Sequence, residues 1–373
     1  RPYNVKSYAF LFMCIKILEV KIMNNFRKLL SCIIVLCLVL SATIVPAGAV
    51  NLQKQAEISI AEISDRAQSF ITARKGNAFN IERYKELVDE YGSVIAYCYF
   101  LEPAGYIIID TNAEVTEAAF ENTASYRALV SQNDEIYYGG PLNYFTKESQ
   151  EYNDIVTNEK MQKDAAVECI KNFDETVRLA KQEKAVSNFA AETRSTITTN
   201  KLPGTLRKYS YNTGVICGST AAAIMLMYYR DNIDSWVVPS WHDTATGESL
   251  IELIRPQING DPPQGAVCSD VVRGLNYYFR WRGISNKYSS KWTSGGVNET
   301  TYNAIKSLIN SKRPAEILIN QHPTYKNHFV VAHGVEKEIH GSTYYFVYAG
   351  DGWGSNDILI SFRYLRQYAY IVG

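Results

Sequence analysis

Near the middle of the chain, Ala221-Ala222-Ala223-Ile224-Met225-Leu226-Met227-Tyr228-Tyr229 is an apolar run of strong helix formers, closed by Arg230-Asp231. That run predicts a helix. A Trp- and Gly-rich stretch follows it, and runs of strand-forming residues occupy the C-terminal end. Helices first and strands later argues an α+β domain. Gly214-Val215-Ile216-Cys217-Gly218-Ser219-Thr220 leads straight into the helix, so Cys217 lies at or beside its N-terminus. Unpaired N–H groups and the helix dipole favour a thiolate there, and a thiolate is the nucleophile that acyl transfer needs. Taken alone, the same cysteine also reads as a packed core residue.

The 373 residues are enough for two domains of ordinary size. From Met23 the chain reads Met23-Asn24-Asn25-Phe26-Arg27-Lys28, then an apolar stretch from Leu29 to Val45, then Pro46-Ala47-Gly48-Ala49. A short basic region, an apolar core and a small-x-small end are the layout of a secretory signal peptide, so residues 23–49 are expected to be removed on export. Residues 1–22 begin with Arg and read as upstream sequence translated in frame. Without residues 1–49 the cysteines are Cys98, Cys169, Cys217 and Cys268, too few for a disulfide-built secreted fold. This reads as a bacterial export product folded without disulfides, extracellular, and touching a membrane only through its signal peptide. With 38 basic residues against 38 acidic ones and no long basic run, no nucleic-acid partner is expected.

Apolar residues at helical spacing predict an amphipathic helix over 54–76. Val94–Leu101 and Gly105–Asp110, separated by Glu102-Pro103-Ala104, predict a strand pair, and residues 158–184 look helical. Residues 185–202 are polar and weakly periodic and end at Pro203-Gly204, the composition of a linker. The expected organisation is therefore a small α+β domain at 50–190, a linker at 191–201 and a second domain at 202–373.

Further along, 327–336 and 343–349 read as two strands with Lys337 to Ser342 between them. If Glu336 pairs with Thr343, Asp351 falls opposite His328, and opposed side chains stand about 4.5 to 5.5 Å apart at Cβ. An imidazole and a carboxylate at that range can serve as base and orienter of a catalytic triad. The register is the assumption, since a one-residue slip sends one partner to the other face. Singly, Asp351-Gly352 is a common turn and His328 an ordinary strand-end histidine. His242, Asp243, Cys268, Asp270 and His322 offer ligand types without Cys-x-x-Cys or His-Glu-x-x-His spacing, so neither a metal nor another cofactor is expected.

Cys217-Gly218, Asn327-His328-Phe329-Val330 and Asp351-Gly352-Trp353-Gly354, in that order, resemble the papain-like cysteine peptidases, and the Cys-Gly-x-Thr-Ala helix start is most similar to the bacterial C39-like type. Tyr99-Phe100-Leu101-Glu102-Pro103-Ala104-Gly105-Tyr106-Ile107-Ile108 is similar to the pro-domain of streptopain-type enzymes. The resemblance implies a central helix packed on an antiparallel sheet, preceded by a small α+β pro-domain that inhibits the enzyme. It implies Cys217 as nucleophile, His328 as base, Asp351 as orienter and Trp353 as a shield over that pair. Where such enzymes carry an oxyanion-binding Gln about six residues before the Cys, this chain has Tyr211 and then Asn212, and Asn212 supplies the donor if the loop is one residue shorter. The expected function is a secreted cysteine peptidase made as a zymogen and acting on a peptide or protein. The alternatives are a peptidoglycan or isopeptide-bond hydrolase with the same triad, and a non-catalytic adhesion or inhibitor-like protein.

Overall fold

The computed structural model describes residues 58–184, 195–209, 211, 215–261, 265–319 and 328–373. The segments read as upstream sequence and signal peptide, most of the polar run before residue 195, and Asn212 and His322 lie outside the described residues.

Helix α1 spans Ile60–Lys75. Its start is set by a capping box: Ser59 Oγ accepts the Glu62 N–H, and the Glu62 carboxylate accepts the Ser59 N–H at 2.8 Å. Gly76, at φ 59°, ends it. Strands β1 (Asn80–Val88), β2 (Val94–Glu102), β3 (Tyr106–Asp110) and β4 (Val115–Ala119) follow, with β2 and β3 forming the expected hairpin. Next come α2 (Ala124–Ser131), β5 (Ile136–Tyr138), β6 (Tyr144–Glu148), β7 (Glu151–Asp154), β8 (Lys160–Met161) and α3 (Lys163–Lys184).

The C-terminal part contains β9 (Thr196–Lys201), α4 (Cys217–Asn232), α5 (Glu248–Ile258), α6 (Cys268–Arg282), β10 (Ser289–Ser294) and α7 (Glu299–Asn310). It ends in β11 (Ala315–Ile319), β12 (His328–His340), β13 (Ser342–Gly350), β14 (Ile358–Ser361) and β15 (Leu365–Val372). Every residue of α4 from Gly218 to Tyr229 is buried. A helix apolar all round must be enclosed. The antiparallel strands β11 and β12 cover one side of it, and α5 and α6 cover others. This is the helix-on-sheet α+β architecture of the papain-like fold.

Strands run β10-β15-β11-β12-β13-β14, and β14 pairs with β4, which continues through β3, β2 and β1. Ile358 stands opposite Ala119 and Ile360 opposite Glu117, so strands from both parts of the chain belong to one sheet.

Two details differ from the sequence reading. The polar run expected as a linker over 191–201 is, from Thr196 to Lys201, strand β9, paired with β12 from Gly334↔Lys201 to Ile339↔Thr196. Threonine-rich sequence suits an exposed extended strand as well as a linker, so composition alone does not separate them. The β12–β13 register also differs. Gly341, at φ 66°, permits a tight turn between His340 and Ser342, so that Ile339 faces Thr343 and Glu336 faces Phe346. All of the residues read as a loop except Gly341 are thus strand, and the pairing shifts by three. An irregularity between Ala332 and Gly334 shifts it once more.

The α1 helix lies across this sheet with Ile63, Ala67, Phe70 and Ile71 fully buried against Tyr99, Ile107, Phe346 and Leu359. Burying each of the larger side chains contributes about 1.5–3 kcal/mol. Arg66 and Arg74, one turn either side of Phe70, meet two buried carboxylates of β12. Arg66 binds Glu338 through two bonds of 2.9 and 3.0 Å, while Arg74 binds Glu338 at 3.0 Å and also Glu336. The Arg74 guanidinium lies 3.3 Å from the centroid of the Phe70 ring. Burial alone would raise the Glu338 carboxyl, but the two arginines outweigh it and hold the group down at about 2.

Arg66→Ala would remove the bidentate partner of a buried carboxylate and leave Arg74 to balance both Glu336 and Glu338, so it should cost about 3 kcal/mol in urea unfolding. The unfolded chain takes up the Glu338 proton near 4.5 and the folded chain only near 2, so this stabilisation is complete above pH 4.5 and is lost as pH falls toward 2. Glu338→Gln should therefore flatten the acid side of the stability curve over that interval. An unchanged acid slope would show that the cluster does not govern it.

Candidate active site

Cys217 is the first residue of α4, and Gly218 behind it fits a narrow space. A Cβ there would lie 3.2 Å from Ile258 Cγ2 and 3.3 Å from Ala266 Cβ, tighter than ordinary contact, so glycine lets the helix start approach the end of α5. The thiol is half-buried by area yet surrounded by protein. Burial pushes it up to about 11. The Phe329 N–H pulls the other way, as do those of Gly218 and Cys217, while the Glu316 carboxyl raises it. In this arrangement desolvation outweighs the helix start that was expected to favour a thiolate. Glu316 is fully buried on β11 with, among the described residues, no hydrogen-bond partner for either carboxyl oxygen, and burial raises its pKa as well.

His328 opens β12 opposite Ile319 and is buried. Its Nε2 lies 3.1 Å from the main-chain oxygen of Asp351. A carbonyl only accepts, so Nε2 carries the proton and Nδ1 is the basic nitrogen. The Asp351 carboxylate is engaged in its own turn: Oδ1 accepts the N–H groups of Trp353 at 2.8 Å and Ser355 at 2.9 Å. Among the described residues, Oδ2 is buried without a partner. Burial pushes Asp351 up to about 6 against the pull of those N–H groups. The orienting contact therefore comes from the main chain of Asp351, where the sequence suggested its side chain. The register explains this: pairing stops at Val331↔Gly350, and the chain then turns through Gly352 at φ 75°. Extending that register puts Trp353 opposite His328, and the two rings do lie against each other in a tilted arrangement, with centroids 4.4 Å apart and planes 35° apart.

Cys217, His328, Asp351 and Trp353 all line one cleft, together with Tyr211, Val215 and Thr220. Tyr211 Oη donates to Glu252 at 3.0 Å, and the neighbouring oxyanion candidate Asn212 lies outside the described residues. The opposite wall belongs to the N-terminal part of the chain: Leu142, Asn143, Asp154, Thr157 and Glu159. Each loop there is pinned. The Leu142 N–H donates to the buried Glu117 carboxylate at 3.2 Å, which also accepts from Tyr144 Oη at 2.6 Å and Tyr138 Oη at 3.1 Å. Burial raises Glu117 to about 8 in spite of these three donors. Asp154 Oδ1 accepts the N–H groups of Val156 and Thr157, both at 2.9 Å.

No sequence reading singled these wall residues out. Gly139-Gly140-Pro141 and Asp154 to Asn158 carry turn chemistry, but nothing local tells which distant residue a turn faces. Of the weaker candidates, those among the described residues do not join the cleft. His242 bonds Ser249 at 2.8 Å, Asp243 pairs with Arg230, Asp270 bonds the Val267 N–H at 3.1 Å, and Cys268 is fully buried. Among the described residues no cluster of His, Cys, Asp or Glu could hold a metal ion.

A thiol held near 11 should react slowly at neutral pH. Iodoacetamide should label Cys217 of the intact chain slowly at pH 7 and increasingly above pH 9, with the buried Cys98, Cys169 and Cys268 left unmodified on peptide mapping. Fast labelling of Cys217 at pH 7 would contradict this environment.

The sequence pattern of the Peptidase_C39 like family matches residues 205–368. No curated protein matches the chain. Among solved structures, a fragment of prointerpain A from Prevotella intermedia is similar at 12% identity and a TM-score of 0.40, covering 77% of this chain and 97% of that one. The family match spans α4 with Cys217 and the strands with His328 and Asp351, and residues 205–368 are a papain-like cysteine peptidase of the C39-like type.

Proposed function

We propose that the chain is the secreted precursor of this cysteine peptidase, with Cys217 as nucleophile, His328 as base and the Asp351 segment as orienter, and with the part before β9 acting as an inhibitory pro-region. One observation carries the reading. The thiol and the imidazole line a single cleft, and the facing wall of that cleft comes from the N-terminal part of the same chain.

In the proposed reaction His328 Nδ1 takes the thiol proton, and the Cys217 thiolate attacks the carbonyl carbon of a peptide bond. The oxyanion rests on the Cys217 N–H and on Asn212. Protonated His328 then gives its proton to the leaving amine, and a thioester to Cys217 remains. Water, deprotonated by His328, hydrolyses that thioester and restores the thiol. The Asp351 carbonyl keeps Nε2 protonated throughout, and the Trp353 ring keeps water from the back of the imidazole. Departure of the 142–143 and 154–159 loops would hydrate Cys217 and lower its pKa from the value that burial imposes.

Strand β9 bears on where the precursor is cut. Its main chain is paired with β12 along Thr196–Lys201, and a protease needs an unpaired segment to bind. Incubation of the purified chain should yield a fragment beginning near residues 186 to 203 and outside the paired Thr196–Lys201 segment, found by N-terminal sequencing, and Cys217→Ala should yield none and lose casein cleavage. Full activity of a chain that stays uncut would end the precursor reading. Cleavage by Cys217→Ala would end the nucleophile assignment. Release of fragments from purified cell walls, without casein cleavage, would move the substrate to the wall.

A further inference from the structure

Helix α4 starts without a cap of its own. Ile216 stands at the N-cap position, and its side chain offers no acceptor. The first N–H groups of a helix need partners from elsewhere. One comes from α5: Asn259, just past the end of that helix and 2% exposed. Its Oδ1 accepts the Ser219 N–H, third in the helix, at 3.2 Å, and the Ser219 hydroxyl as well. Its Nδ2 donates to the Val215 carbonyl at 2.9 Å, two residues before Cys217. One buried amide thus grips the chain on both sides of the nucleophile. Ser219 takes the cap, while the N–H groups of Gly218 and Cys217 are turned to the thiol.

We propose that Asn259 is a positioning residue for the peptidase reaction, holding the Cys217 segment and capping its helix with a neutral group. This rests on Cys217 being the nucleophile. The chemistry selects an amide. An aspartate would cap the helix as well, but it could not donate to the Val215 carbonyl, and its charge at the helix start would oppose formation of a thiolate next to it. Hydrophobic and hydroxyl side chains fail one or both bonds. Val215 itself lines the cleft, so loosening its carbonyl shifts the cleft wall as well as the thiol.

The test uses the full-length chain with Asn259→Asp and Asn259→Ala, reading casein cleavage, thermal unfolding, and the pH profile of iodoacetamide labelling at Cys217. Asn259→Asp should move the labelling profile to higher pH. Both variants should cleave casein about tenfold to a hundredfold more slowly, the scale expected when a reacting group is misplaced. If Asn259→Ala does not fold, Asn259→Asp, which keeps the acceptor for Ser219, carries the test. Variants that merely melt earlier, with cleavage rate and labelling profile unchanged, would make Asn259 a structural residue and overturn the proposal. Cys217→Ala separates the two ideas. If it abolishes cleavage while the Asn259 variants behave as the native chain, only the positioning role fails. If it still cleaves, the nucleophile assignment fails and takes the positioning role with it.

Discussion

Enclosure of helix α4 is the constraint on which the rest of the molecule depends. Twelve consecutive residues, Gly218 to Tyr229, are removed from water, so the helix needs a sheet on one side and other helices around it. Enclosure relaxes at both ends: Asp231 and Asn232 are exposed at the C-terminal end, and Cys217 keeps partial exposure in the cleft at the N-terminal end. Of the two ends, only the helix start carries a thiol. The strand that covers the helix there is β12, whose first residue is His328, so the packing that encloses the helix also brings the imidazole to the thiol's cleft.

Two opposed effects meet at that thiol. Main-chain N–H groups at a helix start stabilise a negative sulfur, and the surrounding protein removes the water that would stabilise it further. Desolvation prevails here, and loops belonging to the N-terminal part of the chain line the cleft that holds the thiol. Those loops are fixed from within by carboxylates, Glu117 under Leu142 and Asp154 within its own turn. The cover is consequently a rigid surface, and its removal calls for displacing more than one flexible segment.

The elements with strong local patterns are legible in the sequence. The apolar run at 221–229 gives α4, and β-branched and aromatic runs give the β2–β3 hairpin and the C-terminal strands. The order of motifs around Cys217, His328 and Asp351 suffices to bring those residues to one cleft. Less legible are features decided by one backbone conformation or by distant packing. Gly341 adopts a left-handed φ and moves the β12–β13 register by three residues, and the His328 partner changes from a carboxylate to a carbonyl as a result. The threonine-rich segment 196–201 becomes a strand because β12 is long enough to offer it an edge beyond β11. Asn259 and the cleft wall at 142–159 leave no local trace, since their importance lies in residues 40 or more positions away in the chain.

The short pairing of β14 with β4 bears on the proposed precursor, which would shed its N-terminal part. Ile358, Leu359 and Ile360 are buried, and the side of β14 turned away from β13 is satisfied by β4. Separation would leave an apolar sheet edge open to water, the kind of surface that recruits strands from other molecules and seeds association. Only three residue pairs are involved, and a template that brief is a poor start for a growing sheet. On the precursor reading the N-terminal part would therefore also guard this edge, and the shortness of β14 would limit the colloidal hazard once the guard is gone.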